Sequence, residues 1–203
     1  MNKEKRLLIN SLIFPLIFLI LIWAVRLIEY FYQLDFGSFG ILPLKAEGLK
    51  GILFSPLIHA DFKHIGANSG PLFLLLWGIF YFYKEVSYKV FFLSYLLTGV
   101  WVWLFARESY HIGASGLVYA FGAFLFFSGL IRRNTQMMAL SMLIIFLYGG
   151  MIWGIFPLKD QVSWESHLMG GIAGLVLAFF YKGVGPQRKQ YTWDFEPEEE
   201  DED

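Results

Sequence analysis

Ser115 sits in Gly113-Ala114-Ser115-Gly116 at the head of a long apolar segment, and His167 opens a later one. A serine hydroxyl attacks a carbonyl only when a base removes its proton, so acyl-transfer chemistry here needs a neutral imidazole within hydrogen-bond reach. His167 is the best candidate for that base. The glycines around Ser115, Gly113 foremost, let other backbone come close and leave the serine at a helix start, where N–H groups lacking an intrahelical acceptor can face an oxyanion. The motif is not the nucleophile elbow of soluble hydrolases, because Leu117 stands where that motif needs its second glycine.

Two further polar residues, His64 and Asn68, are spaced to share one helix face. Both can donate hydrogen bonds, and with the Ser115 backbone N–H they could hold the negative charge of a tetrahedral adduct. Tyr119 lies one turn below Ser115 and could stack on or position His167. His59, just upstream of His64, is expected to tie the preceding loop to the site, and His111 is a second candidate base. Glu165 stands two residues from His167 and on a helix would point away from it. No other acid lies at that depth, so a Ser-His dyad without a carboxylate is the sharper reading. Taken singly, each feature also has a structural explanation: a polar helix start bonded to its loop, a capped contact, or a glycine packing seam.

The elements that must carry these residues are membranous. The chain of 203 residues is 57% hydrophobic and 20% aromatic, with only 16% charged residues, and the charges cluster between apolar runs. That distribution belongs to an integral membrane protein, since ionisable groups are costly at mid-bilayer. With no cysteine, disulfides, thiolate catalysis and Cys-type zinc sites are excluded. The four histidines lack ligand spacing and His-Glu-x-x-His is absent, so neither metal nor cofactor is expected. A net charge of -1 gives no case for a nucleic-acid partner. Absent internal repeats and scarce mid-membrane charge argue against a transporter.

Six apolar stretches are expected to cross the membrane: 8–25, 65–83, 90–106, 112–131, 137–156 and 164–181, most near the ~20 residues a crossing needs. The basic start (Lys3, Lys5, Arg6) lacks a convincing cleavage site after it, which points to an uncleaved first helix. With both termini cytoplasmic, the inner segments hold Lys84, Lys89, Arg132, Arg133, Lys182, Arg188 and Lys189 besides the basic start. The outer segments then hold Arg26, Lys45, Lys50, Lys63, Arg107 and Lys159, a bias that favours this orientation. His64, Asn68, Ser115 and His167 then fall in one layer near the outer face.

Domain organisation follows. Residues 1–182 form the six-span domain, with a structured first loop near 26–64 that lies partly in the interface. Residues 183–203 form a cytoplasmic acidic tail, expected to be disordered because like charges repel. His167, Gly170, Gly171 and Gly174 share a helix face on which another helix can come close, with Gly122 and Ala123 of span four as the matching surface. Such glycine faces can all be consumed within one subunit, so they imply no particular oligomeric state.

Together these residues resemble the rhomboid family of intramembrane serine proteases. The family pattern maps onto His59, His64 and Asn68 in the second span, Gly113-Ala114-Ser115-Gly116 and Tyr119 in the fourth, and His167, Gly170 and Gly174 in the sixth. The resemblance implies an all-α, six-transmembrane-helix bundle in a bacterial inner membrane, with the active site opening outward. It implies Ser115 as nucleophile, His167 as general base and then acid, and His64, Asn68 and the Ser115 N–H as the oxyanion hole. Tyr119 would pack beside the histidine. The implied partners are transmembrane protein substrates and membrane lipids, and the implied reaction is peptide-bond hydrolysis in or near a transmembrane segment through an acyl-enzyme. A lateral opening at span five and the loop 157–163 is a further family-level expectation. The chain departs from the family in lacking a Trp-Arg pair in the first loop, and in the 78–85 region where a glutamate usually ends span two. The rival reading is a noncatalytic rhomboid-like protein that binds transmembrane helices for quality control. The retained serine, histidine and oxyanion donors favour the enzyme.

Overall fold

The computed structural model describes residues 2–133, 135–147, 152–158 and 162–186. Helix α1 (Lys3–Tyr32) starts at Asn2, whose side chain accepts from the Glu4 N–H, and ends at Gln33 in the left-handed conformation. It outruns the expected 8–25 at both ends. Arg26 does not stop it, because Glu29 one turn on lies 3.4 Å from the guanidinium and the apolar run resumes with Leu27 and Ile28. Glu29 is buried, and its other oxygen accepts from the Phe36 N–H at 2.9 Å, which anchors the first loop to the helix end.

That loop is built of short turns: 3-10 segments at Gly37–Phe39, Ala46–Lys50 and Ser55–Leu57, with the four-residue helix α2 (Gly51–Phe54) among them. Ile41 and His111 exchange backbone hydrogen bonds, each 2.9 Å, in an isolated antiparallel bridge. The first loop is thereby fastened to the stretch before Ser115.

Helix α3 (Phe62–Phe82) is capped by Asp61, which accepts from the His64 N–H at 2.7 Å. Helices α4 (Ser87–Phe105), α5 (Ser115–Ile131), α6 (Thr135–Leu147) and α7 (Trp164–Phe180) follow. The fifth expected span, 137–156, is described only as α6 and a 3-10 turn at Ile152–Ile155. Residues 148–151 between them lie outside the described residues, as does the expected acidic tail from residue 187 onward.

The architecture is an all-α bundle. Among the described residues α1, α3 and α4 are long and apolar enough to cross a bilayer, while α5 and α7 are apolar helices of 17 residues each. Helix α5 is the centre, packed by α3, α4, α6 and α7, with Leu117, Phe121, Phe124 and Leu125 buried. A helix apolar all round is one surrounded by others. Aromatic and aliphatic side chains of the core, including Phe18, Ile22, Leu75, Ile79 and Phe91, complete one cluster around it. Outside, Ile17, Ile20, Phe92, Phe105 and Phe180 are exposed, as a lipid-facing surface requires. Trp23 and Trp77 donate to Ser69 and Ser11, each at 3.0 Å, and pin α1 to α3. At the opposite end from Ser115, Arg132 stacks on Tyr83 and donates to the carbonyls of Tyr181 and Lys182, closing the end of α7.

Candidate active site

Ser115 is the first residue of α5, and Ala114 before it makes no side-chain cap; the Leu117 and Val118 N–H groups donate to the Ala114 carbonyl, which leaves the Ser115 and Gly116 N–H groups without an intrahelical acceptor. The approach to it is set by Gly113, whose φ of 108° suits glycine alone, and a Cβ there would lie 2.9 Å from His64 Nε2. The Gly113 N–H donates to the Ser55 carbonyl at 2.9 Å, and the Ala114 N–H donates to His59 Nε2 at 3.3 Å. His59 is buried, and burial first, then the nearby His64, pushes its pKa down to about 3. It is therefore a neutral acceptor, and it holds the backbone next to Ser115 from the first loop.

His167 lies in the first turn of α7, buried, with Nε2 2.8 Å from Ser115 Oγ. Its Nδ1 is 2.7 Å from the Gly154 carbonyl oxygen. A carbonyl only accepts, so Nδ1 carries the proton and Nε2 is left to accept from the serine hydroxyl. Tyr119 stacks on the imidazole, with centroids 4.3 Å apart and planes 12° apart. The pair opens into a cavity of about 630 Å³ whose walls include Asp61, His64, Asn68, His111 and Ser163. Asn68 is buried there, and its Nδ2 has no hydrogen-bond partner. Among the described residues no group of three or more His, Asp or Glu side chains is placed to hold a metal ion.

What brings α5 and α7 together is small residues. A Cβ on Gly170 would collide with the Gly116 carbonyl, and one on Gly174 with the Ala120 carbonyl. The surface that α7 meets is therefore Gly116 and Ala120. The expected Gly122 faces Leu75 instead, and Gly171 meets open space, because on α7 it lies off the line joining Gly170 to Gly174.

Residues 46–183 match the Rhomboid domain family. The chain is a rhomboid. It is 35% identical over 188 residues to the uncharacterized protein Rv1337 of Mycobacterium tuberculosis, covering 86% of this chain and 75% of that one. To the uncharacterized protein ML1171 of Mycobacterium leprae it is 31% identical over 203 residues, covering 93% and 77%. As a rhomboid it is an integral membrane serine endopeptidase, and its substrates are proteins that span the membrane.

Two contributors to this candidate site escaped the sequence reading, and a third, Glu165, was weighed there without its partner. The Gly154 carbonyl orients His167, yet a backbone acceptor leaves no trace in residue type. Ser163, at 2.6 Å from His111 Nδ1, looked like an ordinary loop serine. Glu165 is buried in the first turn of α7, 3.5 Å from Arg107. The signal for it was a lone carboxylate at the start of an apolar helix, which rarely stays buried without a partner.

Proposed function

We propose that Ser115 is the nucleophile of this intramembrane protease and His167 its general base. The observation that carries the assignment is the aligned chain from the Ser115 hydroxyl to His167 Nε2, and from His167 Nδ1–H to the Gly154 carbonyl. As Ser115 Oγ attacks the scissile carbonyl carbon, its proton passes to Nε2 and the imidazolium is held by Gly154 O below and Tyr119 alongside. The carbonyl oxygen, now an anion, is received by the orphan Asn68 Nδ2, the His64 ring and the Ser115 N–H. Collapse expels the amine, which takes the proton from Nε2 and leaves Ser115 acylated. Water entering through the cavity then gives a proton to Nε2 as it attacks the ester, and the adduct collapses as Nε2 returns that proton to Ser115 Oγ, releasing the acid and the free serine.

On this reading the bundle crosses the membrane six times, over residues 1–182, with both termini cytoplasmic in a bacterial plasma membrane. The bias of Lys and Arg supports that orientation. Helix α5, about 25 Å long against a hydrocarbon thickness of ~30 Å, would begin below the outer surface, so that Ser115 works at depth while the cavity above admits water.

The test is cleavage of a single-span substrate by the detergent-purified chain, with intact-mass detection of Ser115 labelled by a fluorophosphonate. Ser115→Ala should neither label nor cleave, and His167→Ala should lose on the order of 10³-fold or more in kcat. Cleavage equal in all three proteins would remove the assignment. Binding of the helix without cleavage by the unmodified chain would favour the noncatalytic reading.

A further inference from the structure

A second layer of polar side chains lies above the Ser115–His167 pair in the same cavity. His111 precedes Ser115 and Ser163 precedes His167 by the same interval, and these two side chains meet, Nδ1 to Oγ, at 2.6 Å. His111 Nε2 lies 3.0 Å from the Arg107 carbonyl, so Nε2 carries the proton and Nδ1 accepts from the Ser163 hydroxyl. Ser166 Oγ lies 2.5 Å from Ser163 Oγ and can donate to it. From the same loop, the Arg107 guanidinium donates to the Val162 carbonyl at 2.9 Å and pairs with Glu165. His111 is only 2% exposed, its backbone is bridged to Ile41, and burial lowers its pKa.

We propose that the His111–Ser163 hydrogen bond, braced by Arg107 and Ser166, is a positioning clamp that fastens the loop presenting Ser115 to the turn presenting His167. The clamp rests on the assignment of those two as nucleophile and base. Ser115 is the first residue of its helix and His167 is in the first turn of its own, and helix ends are where local opening concentrates. The glycine seam packs the two helices beside the pair, with Gly170 on Gly116 and Gly116 close to Ser166, but it does not join the loops that lead into them. The His111–Ser163 bond does join those loops, while the ring of His167 is itself oriented by the Gly154 carbonyl. His111 is not a second base for Ser115, since both ring nitrogens are engaged, one by Ser163 and one by the Arg107 carbonyl.

The test measures kcat, KM and the pH–rate profile on a single-span substrate for the full chain and for His111→Leu, His111→Asn, Ser163→Ala and the His111→Leu/Ser163→Ala double variant. Loss of the clamp should lower kcat by about tenfold to 10²-fold, as expected when reacting groups are misplaced by ~1 Å. KM and the pH midpoint should be unchanged, and the double variant no worse than the more damaged single one, because both remove the same bond. His111→Asn should recover most of the rate, since the amide oxygen can accept from Ser163 but cannot act as a base. Equal damage from Asn and Leu with a displaced pH profile would make His111 a titrating group and overturn the clamp. Additive losses that track falling thermal midpoints would overturn it too, as would unchanged kcat in every variant. Ser115→Ala separates the two levels. If it still cleaves, or if the fluorophosphonate labels Ser163, the nucleophile assignment fails and the clamp with it. If it is silent while the clamp variants are fully active, the clamp alone fails.

Discussion

At the scale of single residues, the site is a set of polar groups whose surroundings withhold alternatives. Asn68 makes the point most sharply, because its Nδ2 is buried without a partner in the resting protein. An unpaired buried donor costs stability, so its removal sacrifices no native hydrogen bond. In the transition state the same group would gain an anionic partner, and a single oxyanion donor is worth about 10²–10³ in kcat. Asn68→Ala should therefore lower kcat by that order while leaving the thermal midpoint in detergent unchanged or slightly higher. A parallel fall in both would mean that Asn68 serves the fold and not the anion. Ser115, His167, His64 and Asn68 were singled out in the sequence because they stand out against apolar neighbours, His64 and Asn68 also sharing a helix face. Gly154 was not, since what it contributes is a carbonyl, and any residue type has one. Ser163 was not, because its partner His111 is remote in sequence and reaches it only through the folded loops.

At the scale of elements, the proposed Ser115–His167 pair depends on how closely α7 can lie against α5. The contact is backbone to backbone at two successive turns, Gly170 on Gly116 and Gly174 on Ala120, where no side chain exists to yield. Gly170→Ala and Gly174→Ala should each force the helices apart, with an overpacking cost of about 1–3 kcal/mol. The same shift would lengthen the Ser115–His167 hydrogen bond, so activity should fall with stability. Gly171→Ala is the control: a Cβ there meets nothing within 4 Å, and alanine is the better helix former. Thermal unfolding and substrate cleavage of the three variants check this, and damage from Gly171→Ala equal to the others would refute the seam. The existence of a glycine face was readable from its spacing, but which glycines face the partner was not. Small residues are permissive on every side, so the sequence named Gly122 and Ala123 where α5 uses Gly116 and Ala120, and it added Gly171 to the Gly170–Gly174 face of α7. Helix ends were displaced for a similar reason. The charge of Arg26 read as a stop, and its pairing with Glu29 a turn away lets α1 continue to Tyr32.

At the scale of the whole molecule, the first loop, the loop before Ser115 and the head of α3 converge on neutral histidines, and this ties stability to pH. The loop's apolar fragments are what make a structured first loop the expectation from sequence. Its fastening to Ser115 through Ile41, Ser55 and His59 depends on contacts too distant in sequence for any local pattern to carry. His59, with its pKa pushed down to about 3, accepts the Ala114 N–H, and once protonated Nε2 could no longer accept. His111 is lowered in the same direction by its burial. In the unfolded chain both titrate near the ordinary histidine value of about 6.5, so below that pH the unfolded state binds more protons than the folded one. Stability should then be full above pH ~6.5 and decline as pH falls toward the folded-state value of His59, each fully coupled histidine adding a slope of about 1.4 kcal/mol per pH unit. The window from pH 6.5 to 4.5 isolates this effect, since most carboxylates stay ionised through it. His59→Gln keeps an acceptor for the Ala114 N–H but does not titrate, so its thermal midpoint should fall less steeply across that window. A profile as steep as that of the unsubstituted protein would show that the acid sensitivity lies elsewhere in the bundle.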